Sequence, residues 1–228
     1  ARANKSLGLL SSKKANAISR AAKEVWQSKH NDQFPVDVFQ TGSGTSSNMN
    51  VNEVIANLAL KNSNLKIDSN DDVNMSQSSN DVIPTAIKVS AHMDLTKKLL
   101  PALDKLIEIT DKKANSLKGL VKTGRTHLMD AMPLDFHQEI SAWTSQLKNS
   151  KKTFLFLEKR MLEMPLGGTA VGTGINAHPR FPKLFAKELN KLSGGRWKNV
   201  PSENFFHELS AQDTAVQVSG ELKNLAII

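Results

Sequence analysis

FHQEISAWTSQLKNSKKTFLFLEKRMLEM, residues 136–164, decides the fold class of this chain. Ile140, Leu147, Phe154 and Met161 recur every seven residues, and Trp143 and Leu157 fill the companion positions. A helix with so regular a seam needs other helices along it. At about 1.5 Å per residue it would reach roughly 40 Å, longer than a compact single domain requires. The segment therefore predicts an elongated bundle and subunit association. Pro165 and the pair Gly167 and Gly168 mark its end.

Upstream, Ile83, Ile87, Ala91, Leu95, Leu99, Leu103, Leu106 and Ile109 lie on one helical face. They predict a helix from about 82 to 117 that Pro101 kinks or divides, with Asn80 or Asp81 as its N-cap. Shorter helices are expected over 5–29, 49–62, 181–192 and 204–228. Strands are expected only at 36–40 and beside the Gly-rich stretch near 170. The expected class is all-α, an elongated helix bundle with a small, mostly helical N-terminal part. A polar change of composition over 61–72 places the division, giving an N-terminal domain over 1–76 and a central helix-bundle domain over 77–228.

Composition bounds the function. The chain has 228 residues, 39% of them hydrophobic, enough to bury a substantial core. It has no cysteine, which excludes disulfides and thiolate metal sites. No apolar run approaches the roughly 18 residues of a spanning helix, and the first residues lack a signal-peptide pattern. The expected compartment is the cytoplasm, or the mitochondrial matrix if the source is eukaryotic. The net charge of +8 comes from 24 lysines against six arginines, and there is no tyrosine. Scattered lysines without arginine forks or interleaved aromatics read as a solvated surface, so neither nucleic acid nor membrane is expected as a partner. A positive field does attract small dicarboxylates.

Four segments share a chemistry: QTGSGTSSNMN (40–50), NMSQSSND (74–81), KTGRTHLMDAMP (122–133) and LGGTAVGTGINAHP (166–179). Hydroxyls, side-chain amides and backbone N–H groups all direct donors at an anion, and glycine lets the backbone approach it. There is no GxxxxGK followed by Ser or Thr, and no GxGxxG, so the anion is not expected to be a nucleotide. A carboxylate is. His127 brings an ionisable ring among the hydroxyls of the third segment, beside Thr126, as a group able to move a proton or hold a reacting water. Arg125 reads as a brace for its loop, and His178 as a cap or loop support. No histidine has metal-like spacing with a second ligand, and no metal is expected.

GSGTSSNMNVNEVIAN, NDDVNMSQSSNDVIPTA, GRTHLMDAMPL and GGTAVGTGINAHP resemble, in order, the sequence blocks of class II fumarases in the aspartase and fumarase superfamily. The resemblance implies a homotetramer with a central helix bundle, each active site assembled from several subunits. It implies reversible hydration of fumarate to L-malate with no metal or organic cofactor. It implies that Ser43, Thr45, Ser78, Ser79, Asn80 and Thr126 bind the substrate carboxylates and that His127 holds or activates the water. An accessory dicarboxylate site would fall at Asp68, Ser69, Asn70 and Asp71, where the family often has His-Pro-Asn-Asp.

The family's GSSxMPxKxNP loop, which carries a serine implicated in proton abstraction, does not occur in these 228 residues. The chain is expected to be a fragment lacking that loop and the N-terminal region, and inactive alone. Three other readings stand beside this one. An aspartate ammonia-lyase shares the scaffold but typically has Gln where His127 stands. Argininosuccinate and adenylosuccinate lyases also release fumarate, yet rarely pair GSGTSSNMN with SSND. A non-catalytic fragment would keep only the fold.

Overall fold

The computed structural model describes residues 1–195, 198 and 200–228. Among them the chain is all-α, with nine α-helices and four short strands. In order these are α1 (Arg2–Ser6), α2 (Ser12–Trp26), α3 (Thr45–Ser63), α4 (Ser79–Asp94), α5 (Leu100–Ser116), β1 (Val121–Thr126), β2 (Met129–Asp135), α6 (Phe136–Met161), β3 (Glu163–Met164), α7 (Phe181–Leu192), β4 (Val200–Pro201), α8 (Phe205–Ser210) and α9 (Asp213–Ile227). They form two compact units, Ala1–Lys88 with Leu162–Gln212, and Val89–Met161 with Asp213–Ile228. These units are cut differently from the expected division at 76/77, because 162–212 returns to pack with the N-terminal residues.

In the first unit, Ala15, Ala17, Ile18 and Ala21 of α2 pack on Ile55, Ala56 and Ala59 of α3. Alanines at the contact let the two helices approach closely, and Ala21 and Ala59 are fully buried. The single helix expected over 5–29 is two. Gly8, at φ +77, ends the first, and Ser11 accepts from the Lys14 N–H to start α2. A second cluster joins Ala3, Leu166 and Phe181. Gly167 there has φ +113, and a Cβ on it would lie 2.3 Å from the Pro182 ring, so the entry to α7 needs glycine. Lys88 and Glu208, each 7% and 6% exposed, pair within this unit, and Lys88 also donates to the Glu163 carbonyl.

In the second unit, Leu147, Phe154, Leu157 and Met161 of α6 meet Leu95, Leu100, Leu103 and Val218. The heptad seam thus finds its partners, though Trp143 is 52% exposed. The helix expected over 82–117 is divided by a wide helical turn at Leu95–Leu99, after which Pro101 sits in the first turn of α5, where its missing N–H does no harm. The helix expected over 204–228 is likewise two, α8 and α9, parted at the extended Ala211.

One strand expectation fails, since residues 36–40 form no strand, and the other is met only by the two-residue β3 just before the Gly-rich stretch, which itself forms turns and bends. The strands found are an antiparallel pair, β1 with β2, and a short parallel pair, β3 with β4. Asp135 closes the hairpin onto α6. Its carboxylate accepts from the Gly119 and His137 N–H groups at 2.6 Å each, while Gln138 accepts from the Asp135 N–H at 2.9 Å. That is a reciprocal helix-start pair, and those two backbone bonds, Gly119 first, hold the Asp135 pKa below its ordinary value. Among the described residues no helix is long and apolar enough to cross a membrane.

Candidate active site

The first, second and fourth donor segments converge in the first unit. Gly44, at φ +62, precedes α3, and a Cβ there would lie 2.8 Å from the Ile83 side chain. Only glycine lets this loop reach α4 so closely. Ser43 then lies with its hydroxyl 3.2 Å from that of Thr45 and 3.1 Å from that of Thr41. Ser43 and Asn80 line one cavity of about 310 Å³, with Gly42, Ile83, Pro84 and Ser210.

The start of α4 differs from expectation. Neither Asn80 nor Asp81 is the cap. Ser78 is: its hydroxyl accepts from the Asn80 N–H at 3.3 Å, and Asp81 returns the bond by accepting from the Ser78 N–H at 2.9 Å. The spacing Ser-x-x-Asp is that of a capping box. Ser79 is 9% exposed, and its hydroxyl accepts from the Asn48 amide at 3.0 Å. It buttresses the donor cluster from behind. Asn48 and Asn52 also reach Asn74, and Asn4 reaches Met75 and Ser76, so the turn before α4 is held by amides from two other helices.

Asp81, read from the sequence only as a possible cap, has a buried role that the sequence did not show. It is completely buried and binds three backbone N–H groups at 2.9 Å, those of Ser78, Gly167 and Thr169. Burial nevertheless outweighs those bonds and raises its pKa to about 6. A short acid directly after Ser-Ser-Asn, with the glycine pair of 167 and 168 elsewhere in the chain, was the available signal.

Thr126 and His127 belong to the second unit. They stand where β1 turns into β2, with Thr126 opposite Met129. His127 has φ +47 and Leu128 φ +60, so the two-residue turn is left-handed at both positions without a glycine. Both are exposed, Leu128 at 95%, and among the described residues no side chain hydrogen-bonds the His127 ring. Arg125 has its Nε 3.4 Å from Asp130 across the hairpin, both side chains being exposed. His178 Nδ1 accepts from the Arg180 N–H at 3.0 Å just before α7.

At the accessory position, the Asp68 carboxylate accepts from the Asn70 and Asp71 N–H groups at 2.8 Å each and starts the wide helical turn Ser69–Val73. Those bonds, Asp71 first, lower its pKa. An ionised acid committed to its own backbone offers no donor to a dicarboxylate. Among the described residues no three His, Asp or Glu side chains are grouped to hold a metal ion.

The chain matches the lyase family over residues 1–228. It is 48% identical over 227 residues to a class II fumarate hydratase of Xylella fastidiosa, all of this chain and 48% of that protein. It is 49% identical to one of Bacillus subtilis, over 98% of this chain and 49% of that protein. Among solved structures, the class II fumarase of Schistosoma mansoni superposes with a TM-score of 0.96 at 35% identity, covering 99% of this chain and 51% of the other. The chain thus spans about half the length of these relatives. With a match that runs from Ala1 to Ile228 and relatives alike at nearly half of its positions, the chain belongs to that lyase family.

Proposed function

We propose that the whole protein hydrates fumarate reversibly to L-malate, water adding anti across the double bond. The observation that carries this reading is a cavity at the start of α4 that Ser43 and Asn80 line, with Thr45 hydrogen-bonded to Ser43 and Ser78 to Asn80. In the malate direction of loss, a proton leaves the carbon next to a carboxylate, and negative charge builds on that carboxylate as the proton departs. Neutral donors already fixed around it, with the N-terminus of α4 behind them, stabilise that charge most in the transition state. Ser79 supports this shell. His127 holds or activates the departing and arriving water, with Thr126 beside it binding carboxylate.

No residue of this chain is assigned the proton abstraction, since the loop to which the resemblance gives it does not occur in these 228 residues. The site is assembled from several subunits of a homotetramer, in the cytoplasm. Asp68, Ser69, Asn70 and Asp71 are the poorer part of the assignment, because their carboxylate accepts where a ligand needs donors. The reaction is proposed to need no cofactor.

The full-length protein, incubated in turn with malate, aspartate and argininosuccinate, is expected to release the ultraviolet absorbance of fumarate from malate alone. Signal from aspartate would select the ammonia-lyase instead, and silence from all three the non-catalytic scaffold. His127→Asn is expected to lower kcat by at least about a hundredfold, the scale of positioned acid–base catalysis, with little change in unfolding midpoint. Near-normal turnover would return His127 to a structural role.

A further inference from the structure

Two consecutive residues of α4 clasp two consecutive residues of the glycine-rich loop. Asp81 accepts from the Thr169 N–H, and Asn80 donates through its side-chain amide to the Ala170 carbonyl at 2.8 Å. The second oxygen of the clasp is shared, since the Asp81 atom that takes Thr169 also takes Gly167, while its other oxygen takes Ser78. Thr169 is held at φ +57, a conformation a threonine adopts only when its surroundings impose it, and is 6% exposed. The bond to Ala170 fixes which end of the Asn80 amide is nitrogen. One N–H is committed to the loop, and the other remains for a ligand of the cavity that Asn80 lines.

We propose that Asp81 is a positioning residue for the substrate-binding amide of Asn80, acting through the loop 167–170 that both residues grip. This rests on the reading of Asn80 given above. The carboxylate is held here against the cost of its burial, and its two oxygens together satisfy three converging backbone N–H groups. An uncharged side chain of the same shape would leave part of this buried donor cluster unpaired. It would not hold three convergent donors at once, since an asparagine offers one oxygen to them and turns its own N–H groups on the third.

The test is a double-mutant cycle on malate turnover in the full-length protein, with Asn80→Ala, Asp81→Asn and the pair. If Asp81 acts through Asn80, Asp81→Asn lowers kcat/KM by at least about tenfold, and adding it to Asn80→Ala costs no more than about twofold further. Losses that multiply, or an Asp81→Asn variant within about twofold of wild type, overturn the proposal while leaving Asn80 as a binding residue. A harmless Asn80→Ala is a different failure: it removes the underlying site reading, and Asp81 then has nothing to position. Should Asp81→Asn not fold, Asp81→Glu keeps the charge, moves the carboxylate by one methylene, and faces the same cycle with the same expectations.

Discussion

Asp81 makes the fold less stable at neutral pH than it would be with a proton on that carboxyl. Its pKa rises from 3.8 to about 6 on folding, with burial as the leading cause and the backbone bonds opposing it. A raised folded value means that the native state binds the proton more readily than the unfolded chain. The stability linked to it is complete below pH 3.8 and is lost as pH rises through about 6. At about 1.4 kcal/mol per pH unit, the change amounts to ~3 kcal/mol between those limits.

Other groups titrate in the same window. His92, 2% exposed, lies with its Nε2 3.2 Å from Glu158, and its pKa is lowered by burial against the pull of that carboxylate. Such contributions are common to wild type and Asp81→Asn and cancel in the difference between them. Urea unfolding of both proteins, followed by circular dichroism from about pH 7 to about pH 4, should show wild type gaining ~3 kcal/mol relative to the variant as pH falls. A difference that stays flat would mean that Asp81 is hydrated after all. A difference of opposite sign would mean that the bonds from Ser78, Gly167 and Thr169 outweigh desolvation.

Two further substitutions probe the two units separately. Lys88→Met leaves Glu208 buried without its lysine and is expected to cost about 3–5 kcal/mol in chemical denaturation, most of which Lys88→Met with Glu208→Leu should restore. Equal instability of the double variant would show that the pair is not what the single change breaks. Leu128→Gly removes a Cβ from a left-handed position without disturbing any core, because Leu128 is 95% exposed. It should stabilise the fold by about 0.5–1 kcal/mol, read as a raised unfolding midpoint.

The long helix was legible because one periodic signal answers to one packing requirement. Leu147, Phe154 and Met161 are seven apart and all buried. Phe181–Leu192 was legible for a similar reason, an amphipathic run with a proline at its start. The hairpin was not. Strand alternation reports a face pressed on a core, and most residues of Val121–Thr126 and Met129–Asp135 are exposed, so no alternation exists to be read. Gly124 and Pro133 added turn-like signals to a real strand pair. At the candidate site, the neutral donors showed through composition, because several hydroxyls and amides cluster in short segments. Asp81 did not, since an acid at a helix start looks the same in sequence whether it faces water or the core. What separates the two cases is the arrival of the Gly167 and Thr169 N–H groups from 86 and 88 residues away.

Two places where this chain gives up stability coincide with the proposed chemistry. Asp81 is desolvated behind the donor cluster, and His127 and Leu128 occupy left-handed backbone at the turn that presents the imidazole. Selection on folding alone would relieve the turn with a glycine or an asparagine, which adopt that conformation at little cost. A glycine would also loosen the turn, and with it the direction in which the His127 ring projects. Leu128 keeps the turn stiff through its Cβ while contributing nothing to a core. Leu128→Gly should therefore separate the two demands, raising the unfolding midpoint of the full-length protein while lowering malate turnover. If both rise together, the backbone conformation at this turn has no part in placing the histidine.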